Sequence, residues 1–396
     1  MAGDMARDVV VLGAGVAGLA TARGLRERLP DTDRIVLVDS STEQVQGLSL
    51  LWLLRGWRDR EAVTLRDGYR ALPGVEFVHG RVERIDPGNR TVLTDIGTLS
   101  YDALVCALGA ELDIGRLPGL AEAEAAGDAV HYYAPDAALA AQARIRALRR
   151  GKVVVLVCDV PYKCPGAPYE GAMLVADLLT ETGARSSVEV EVCTPEPQPM
   201  PVAGPEVGRG VVSMMERAGI RFRPSTRITS VDADGRVLRG ADGLEIPFDL
   251  LVFVPPHRPP RAIAELGLAP AGWAPVDPRS LQTSLPDVWA LGDNSMVVLE
   301  NGKPLPKAAV FAKAQAVTVA AGVARFLGYD VPDVPFDGLG HCYLEAGALK
   351  AARGAGNFYV APDPDVRLEG VSAELHREKE REESEWLQAW RTAPVP

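Results

Sequence analysis

The chain has 396 residues, with 53 acidic and 42 basic side chains and a formal net charge of −11. At roughly 150 residues per domain, this length predicts two or three domains. A content of 47% hydrophobic and 24% charged residues excludes a disordered or fibrous chain. The acidic balance argues against a nucleic-acid partner, and no uncharged apolar stretch reaches the ~18–20 residues of a membrane span, so at most a peripheral membrane contact is expected.

Residues 8–12 are an unbroken apolar run that predicts a buried strand. Gly13-Ala-Gly15-Val-Ala-Gly18 follows at once, and then a helical pattern that Pro30 stops. Residues 35–38 predict a second buried strand, ending at Asp39. Together these make a βαβ unit with a parallel sheet. Gly13 permits the tight turn, Gly15 lets a pyrophosphate approach the backbone, and Gly18 lets the helix pack on the strand. The helix N-terminus offers N–H groups to phosphate oxygens, and Asp39 is placed to accept from a ribose hydroxyl. The unit therefore predicts dinucleotide binding.

Residues 75–109 read as short strands with turns at Pro87-Gly88 and 95–97, closing at a strand over 103–107 and Gly109. A second α/β stretch follows, with strands at 153–158 and 188–193, a helix at 169–179, and short strands at 226–231, 236–239 and 249–254. The loop after its first strand reads Asp159-Val-Pro-Tyr-Lys-Cys164-Pro-Gly-Ala-Pro-Tyr-Glu170. It contains no second glycine fingerprint, and its prolines have no N–H to give a phosphate, so a nicotinamide substrate is not expected. A strand at 288–291, the loop Gly292-Asp293-Asn294 and a helix over 308–326, entered after Lys307, come next. From 331 onward a separate piece ends in a charged helix over 373–391.

Five cysteines are an odd number in a large chain, which is not a disulfide framework. The N-terminal residues lack the pattern of a secretory signal, so a cytoplasmic location is expected. Cys106, Cys158 and Cys193 lie in apolar strands and read as core. Cys164 sits in a proline-rich turn beside Lys163, whose charge would lower the thiol pKa. Cys342 follows His341, which reads equally as a partner for that thiol or as a surface histidine. The other histidines show no metal-ligand spacing, and no metal is expected.

Two segments resemble known flavoproteins. Tyr101-Asp-Ala-Leu-Val-Cys-Ala-Leu-Gly109 is similar to the segment that closes the FAD domain in two-dinucleotide-fold flavoproteins, and Val288-Trp-Ala-Leu-Gly-Asp293 is similar to their second FAD motif. The dinucleotide implied is FAD, and the helix entered after Lys307 would aim its N-terminus at the flavin's pyrimidine end. Pro161-Tyr-Lys-Cys164-Pro-Gly-Ala-Pro168-Tyr-Glu170 resembles the cysteine loop of the flavoprotein subunit of flavocytochrome c sulfide dehydrogenase and the sulfide:quinone oxidoreductases. Val254-Pro-Pro256, Ala271-Gly-Trp273-Ala-Pro-Val276-Asp277 and Cys342-Tyr343 carry the same resemblance.

That resemblance implies an α/β fold with two Rossmann-like dinucleotide-binding domains and a C-terminal interface domain. The FAD domain would be split over 1–112 and 258–330, the second Rossmann-like domain would span 113–257, and the interface domain 331–396. It implies a catalytic Cys164–Cys342 disulfide, Glu170 as acid/base, and FAD held by Gly13, Gly15, Gly18, Asp39, Gly109, Gly292, Asp293 and Lys307. It further implies a small sulfur substrate and a quinone or soluble electron acceptor; a homodimer is also among the expectations. Three departures qualify it. Residues 44–57, where flavocytochrome c tethers its flavin, contain no cysteine, so FAD is expected to be non-covalent. No third cysteine lies between Cys106 and Cys158. The charged C-terminal stretch reads as a solvated helix docked by Trp386 and Trp390 rather than a bilayer helix. Residues 48–57 read as an exposed apolar patch or as packing around the flavin. The alternatives are a thiol/disulfide or NAD(P)H oxidoreductase of the same fold, and an accessory subunit with a structural flavin.

Overall fold

The structure is a computed structural model that describes residues 6–391. In chain order its principal elements are β1 (Asp8–Leu12), α1 (Val16–Arg26), β2 (Arg34–Asp39), α2 (Gly47–Arg55), β3 (Glu76–His79), β4 (Ala103–Cys106), β5 (Ala129–Val130), α3 (Pro135–Ala147), β6 (Gly151–Val157), α4 (Ala167–Glu181), β7 (Val188–Cys193), α5 (Pro205–Arg217) and β8 (Arg221–Arg223). They continue with β9 (Leu250–Val254), β10 (Val288–Ala290), α6 (Ala309–Phe326), β11 (Leu339–Gly347), β12 (Lys350–Asn357), β13 (Asp365–Ser372) and α7 (Ala373–Trp390).

The first sheet has the order β10-β4-β1-β2-β3, every pair parallel. Val9, Val10, Val11 and Leu12 have no exposed surface. A strand covered on both faces has no reason to alternate with polar residues, which explains the unbroken run. Helices α1 and α6 pack together on one face of the sheet. Helix α6 is, among the described residues, the one helix long and apolar enough to cross a membrane, and here it lies in the core.

The second sheet has the order β5-β9-β6-β7-β8, also all parallel. The chain enters and leaves this body at one place, where Glu111–Leu112 pairs antiparallel with His257–Arg258. The last piece is an antiparallel sheet, β11-β12-β13, with α7 against β12 and with β11 seated on α4. That seating brings the C-terminal sheet over the cysteine loop that precedes α4.

Two expectations change. Residues 48–57 are not an exposed patch: α2 is buried from Ser49 to Arg55 and packs on α3 and α4. Its apolar run shows no period because Trp52, Leu53 and Leu54 are enclosed on every side. Helix α7 docks with more than tryptophans. Its buried face carries Leu375, His376, Lys379, Glu383, Trp386, Leu387 and Trp390, so three ionisable residues go in with the rings.

Candidate active site

The glycine loop has one fully determined geometry. Gly13 has φ +98°, and a Cβ there would lie 2.4 Å from the Ala107 carbonyl oxygen. At Gly18 a Cβ would lie 1.7 Å from the Gly13 carbonyl oxygen, so only glycine lets α1 start against this turn. At Gly15 a Cβ would meet nothing within 4 Å, so the backbone faces open space. No side chain caps α1 and no acid lies in its first turn. Asp39 accepts the Ala14 N–H at 2.6 Å and the Ser41 N–H at 2.8 Å. A carboxylate has about four acceptor positions, so it can still take a ribose hydroxyl. A bare cradle, uncapped N–H groups and a terminal acid fit a dinucleotide.

The far end of the cradle is tied by Asn294, which sequence reasoning passed over. It is fully buried, accepts from the Gly109 N–H at 3.2 Å and donates to the Cys106 carbonyl at 3.0 Å. Gly292 has φ +69° and donates its N–H to Gln315 of α6 at 2.9 Å. Lys307 is 7% exposed and donates to the carbonyls of Asp293 and Ser295 at 2.7 and 2.8 Å. Its Nζ also lies 3.9 Å from the centre of the Trp273 ring. Among the described residues no carboxylate pairs with it, and burial lowers its pKa to about 8. A buried cation in contact with carbonyls and a ring face, with the Asp293 charge opposing the effect of burial, suits a flavin ring that gains negative charge on reduction. Helix α6 starts directly after it without a side-chain cap. FAD would thus be held by Gly13, Gly15, Gly18, Asp39 and Gly109 at one end, and by Gly292, Asp293, Lys307 and the α6 N-terminus at the other.

Cys164 and Cys342 come together. They stand far apart in sequence, yet the two thiols are close enough to act on each other's ionisation; both are half-buried, and the Cys342 thiol donates to the Tyr343 carbonyl at 3.6 Å. Cys164 has φ +63° and its N–H donates to the Lys307 carbonyl at 2.7 Å, which fixes it to the segment that opens α6. The neighbouring Cys342 thiol lowers the Cys164 pKa, with help from Lys379 and against burial and Glu170, while Cys164 and burial raise that of Cys342. The two thiols titrate as a pair, and within it the direction favours the thiolate on Cys164. Lys163 does not play the part its position suggested. It lies 5.9 Å from the Tyr133 ring, and its charge joins burial in lowering the pKa of His131 to about 4 and of His257 to about 3.

Glu170 is 2% exposed and forms a short ion pair with Lys379. Lys379 also lies 3.6 Å from Glu345, which accepts from Trp52 Nε1 at 2.9 Å and from His376 Nδ1 at 3.0 Å. Burial raises Glu170 to about 7, with Lys379 opposing. Of this cluster only Glu170 was singled out from sequence. The available signal was the interleaving of Lys379 and Glu383 with Trp386 and Trp390 on one helical face. His341 pairs with Glu382. Cys106 and Cys193 are buried, and burial pushes both up to about 12. Cys158, at the end of β6, is half-buried, and desolvation raises it too. Among the described residues no cluster of His, Cys, Asp and Glu could hold a metal.

A mainly apolar cavity of about 570 Å³ opens beside Cys342, between the cysteine loop and the segment leading into α6. Pro161, Tyr162, Met296, Pro304, Phe311 and Phe358 form much of its wall. Glu196, which follows β7, is the acid that could bind a ribose in a second nucleotide site. Here Tyr162 and Tyr169 donate to one of its oxygens at 2.8 and 3.0 Å. The loop that would cradle a second pyrophosphate is instead the cysteine loop.

This two-sheet fold with a dinucleotide cradle has known kin. The sequence pattern of the family described as pyridine nucleotide-disulphide oxidoreductase matches residues 7–316, and the chain belongs to that family of FAD-binding flavoproteins. It is a flavin-dependent oxidoreductase. Within the family it is similar to the sulfide-quinone reductase of Aquifex aeolicus, 28% identical over 272 residues, covering 66% of this chain and 61% of that protein. The solved structure of the sulfide:quinone oxidoreductase from Aquifex aeolicus superposes with a TM-score of 0.86 at 23% identity, covering 98% of this chain and 92% of that one. The ferredoxin–NAD(+) reductase component of the biphenyl dioxygenase system from Paraburkholderia xenovorans is 26% identical over 301 residues, covering 74% of this chain and 69% of that protein.

Proposed function

We propose that the chain oxidises sulfide through a Cys164–Cys342 disulfide and passes the electrons by way of FAD to a quinone or a soluble carrier. The observation that carries this reading is the convergence of the two thiols at the loop bonded to Lys307. Hydrosulfide attacks the sulfur that is open to it, and Cys342, which lines the cavity, is that sulfur. One S–S bond forms to the incoming sulfur, the Cys164–Cys342 bond breaks, and Cys164 leaves as thiolate. A thiol of lowered pKa is the better leaving group, which matches its assignment. A second sulfur nucleophile removes the outer sulfur of the Cys342 persulfide, and the two thiolates re-form their bond as they give up two electrons, for which FAD, when bound, would supply the acceptor. Glu170 takes the proton that hydrosulfide sheds. A cavity of this volume and apolar wall suits a quinone ring.

Cofactor attachment is read as non-covalent, since residues 44–57 contain no cysteine. Acid precipitation should leave the flavin in the supernatant. A cytoplasmic location remains part of the proposal. The cavity beside Cys342 favours one second reading, in which an organic thiol replaces hydrosulfide. Anaerobic mixing decides among them. Sulfide should bleach the flavin in the wild type and not in Cys164→Ser. Bleaching by NADH with none by sulfide overturns the proposal, and bleaching by organic thiols alone establishes the second reading.

A further inference from the structure

The charged cluster beneath the thiols comes from three separated parts of the chain: Glu170 from α4, Glu345 from β11 and Lys379 from α7. All three are at most 2% exposed. Enclosing three charges costs more desolvation energy than packing apolar side chains of the same volume. The arrangement also stands beside chemistry, because Glu170 and Lys379 both act electrostatically on Cys164 and Cys342. We propose that Lys379 is a positioning residue, which fixes the Glu170 carboxyl and its charge beside the cysteine pair and so makes the C-terminal helix part of the reaction centre. The inference rests on the reading of Cys164 and Cys342 as the redox pair.

The groups around Glu170 come from every element packed on it. Lys379 lies on α7, Glu345 and Cys342 on β11, Cys164 on the preceding loop, and Tyr132 on the segment before α3. Lys379 is itself held by the two carboxylates and by the Trp52 ring, 5.0 Å from its Nζ. His376 does not compete for Glu170, because its Nδ1 faces Glu345 and its Nε2 lies 3.8 Å from Glu380. Burial and Glu345 push the Glu170 carboxyl up, and Lys379 holds it at about 7. At that value the group can take a proton from hydrosulfide and return it to water. Without Lys379 it would stay protonated through neutral pH and could take none.

The test is a pH titration of the FAD-loaded, reduced protein, followed by the infrared carbonyl band of a protonated carboxyl. Glu170→Gln assigns the band. The wild-type midpoint should lie near 7. Lys379→Met should raise it by about one pH unit or more, and Lys379→Arg should return it toward the wild-type value. An unchanged midpoint in Lys379→Met, with fold and flavin loading intact, overturns the inference. Should Lys379→Met fail to fold, Lys379→Gln decides: it keeps a hydrogen-bond donor and removes the charge, so the midpoint must rise, and no rise overturns the inference. The pH profile of sulfide-driven bleaching should shift with the band. A band that shifts in a protein that sulfide does not bleach would keep Lys379 as the residue holding Glu170 and discard the sulfide reading.

Discussion

Single atoms decide the cofactor cradle. Gly18→Ala would press a methyl group onto the Gly13 carbonyl, and the only escape is to move the α1 turn. Such overpacking costs about 1–3 kcal/mol, and the purified protein should show a reduced flavin-to-protein absorbance ratio. Asn294→Ala leaves the Gly109 N–H without this partner and takes from the Cys106 carbonyl one donor, the Leu291 N–H at 3.1 Å remaining. Denaturant unfolding should register a loss of about 1–3 kcal/mol. Glu170 gives a signed pH effect. Its folded value of about 7 lies above its ordinary 4.5, so the folded chain binds the extra proton between those values. Its contribution to stability is full below pH 4.5 and lost as the pH rises to about 7. In Glu170→Gln this component of the pH dependence should be missing, and unfolding curves taken across that window would show it. Position in sequence misled the reading of Cys164. Its neighbour Lys163 reaches toward Tyr133, and the cation that acts on the thiol arrives from Lys379, on another element.

At the level of elements, the parts that announced themselves were those with one local cause. Residues 8–12, the glycine loop and Asp39 could be placed because each obeys a rule within its own few residues. Helix α2 was not legible as a helix: nine residues rich in leucine, buried all round, show no face to count. The sheet β11-β12-β13 hid for the opposite reason: β12 is mostly alanine and glycine, and β13 sets only Val366 and Leu368 between Asp365, Arg367 and Glu369 on a largely exposed strand. The pairing of Glu345 with His376 and Lys379 is a contact between β11 and α7, and nothing in either segment alone selects the other. Helix α7 itself rests on its rings. Arg23 lies 3.7 Å from the centre of the Trp390 ring, and Trp386 is 5% exposed. Trp386→Ala should cost about 3–5 kcal/mol in thermal or denaturant unfolding. Because the helix also carries Lys379, the same variant should slow flavin reduction by sulfide.

At the scale of the whole molecule, the site exists only where three bodies meet. The first sheet supplies the cradle, the second supplies the cysteine loop, and the C-terminal sheet supplies Cys342 and Glu345. In the oxidised form proposed above, the bond between the two sulfurs would also be a clasp between the second body and the last. It closes a loop of 178 residues, from 342 minus 164. In the chain-entropy account such a closure restrains the unfolded chain by about 5 kcal/mol. Every turnover would open and reset that clasp, so heat tolerance would follow the balance of fuel and acceptor. A sample starved of acceptor and flooded with reductant should melt at a lower temperature than one left oxidised, and wear during operation would be set by how long the clasp stays undone.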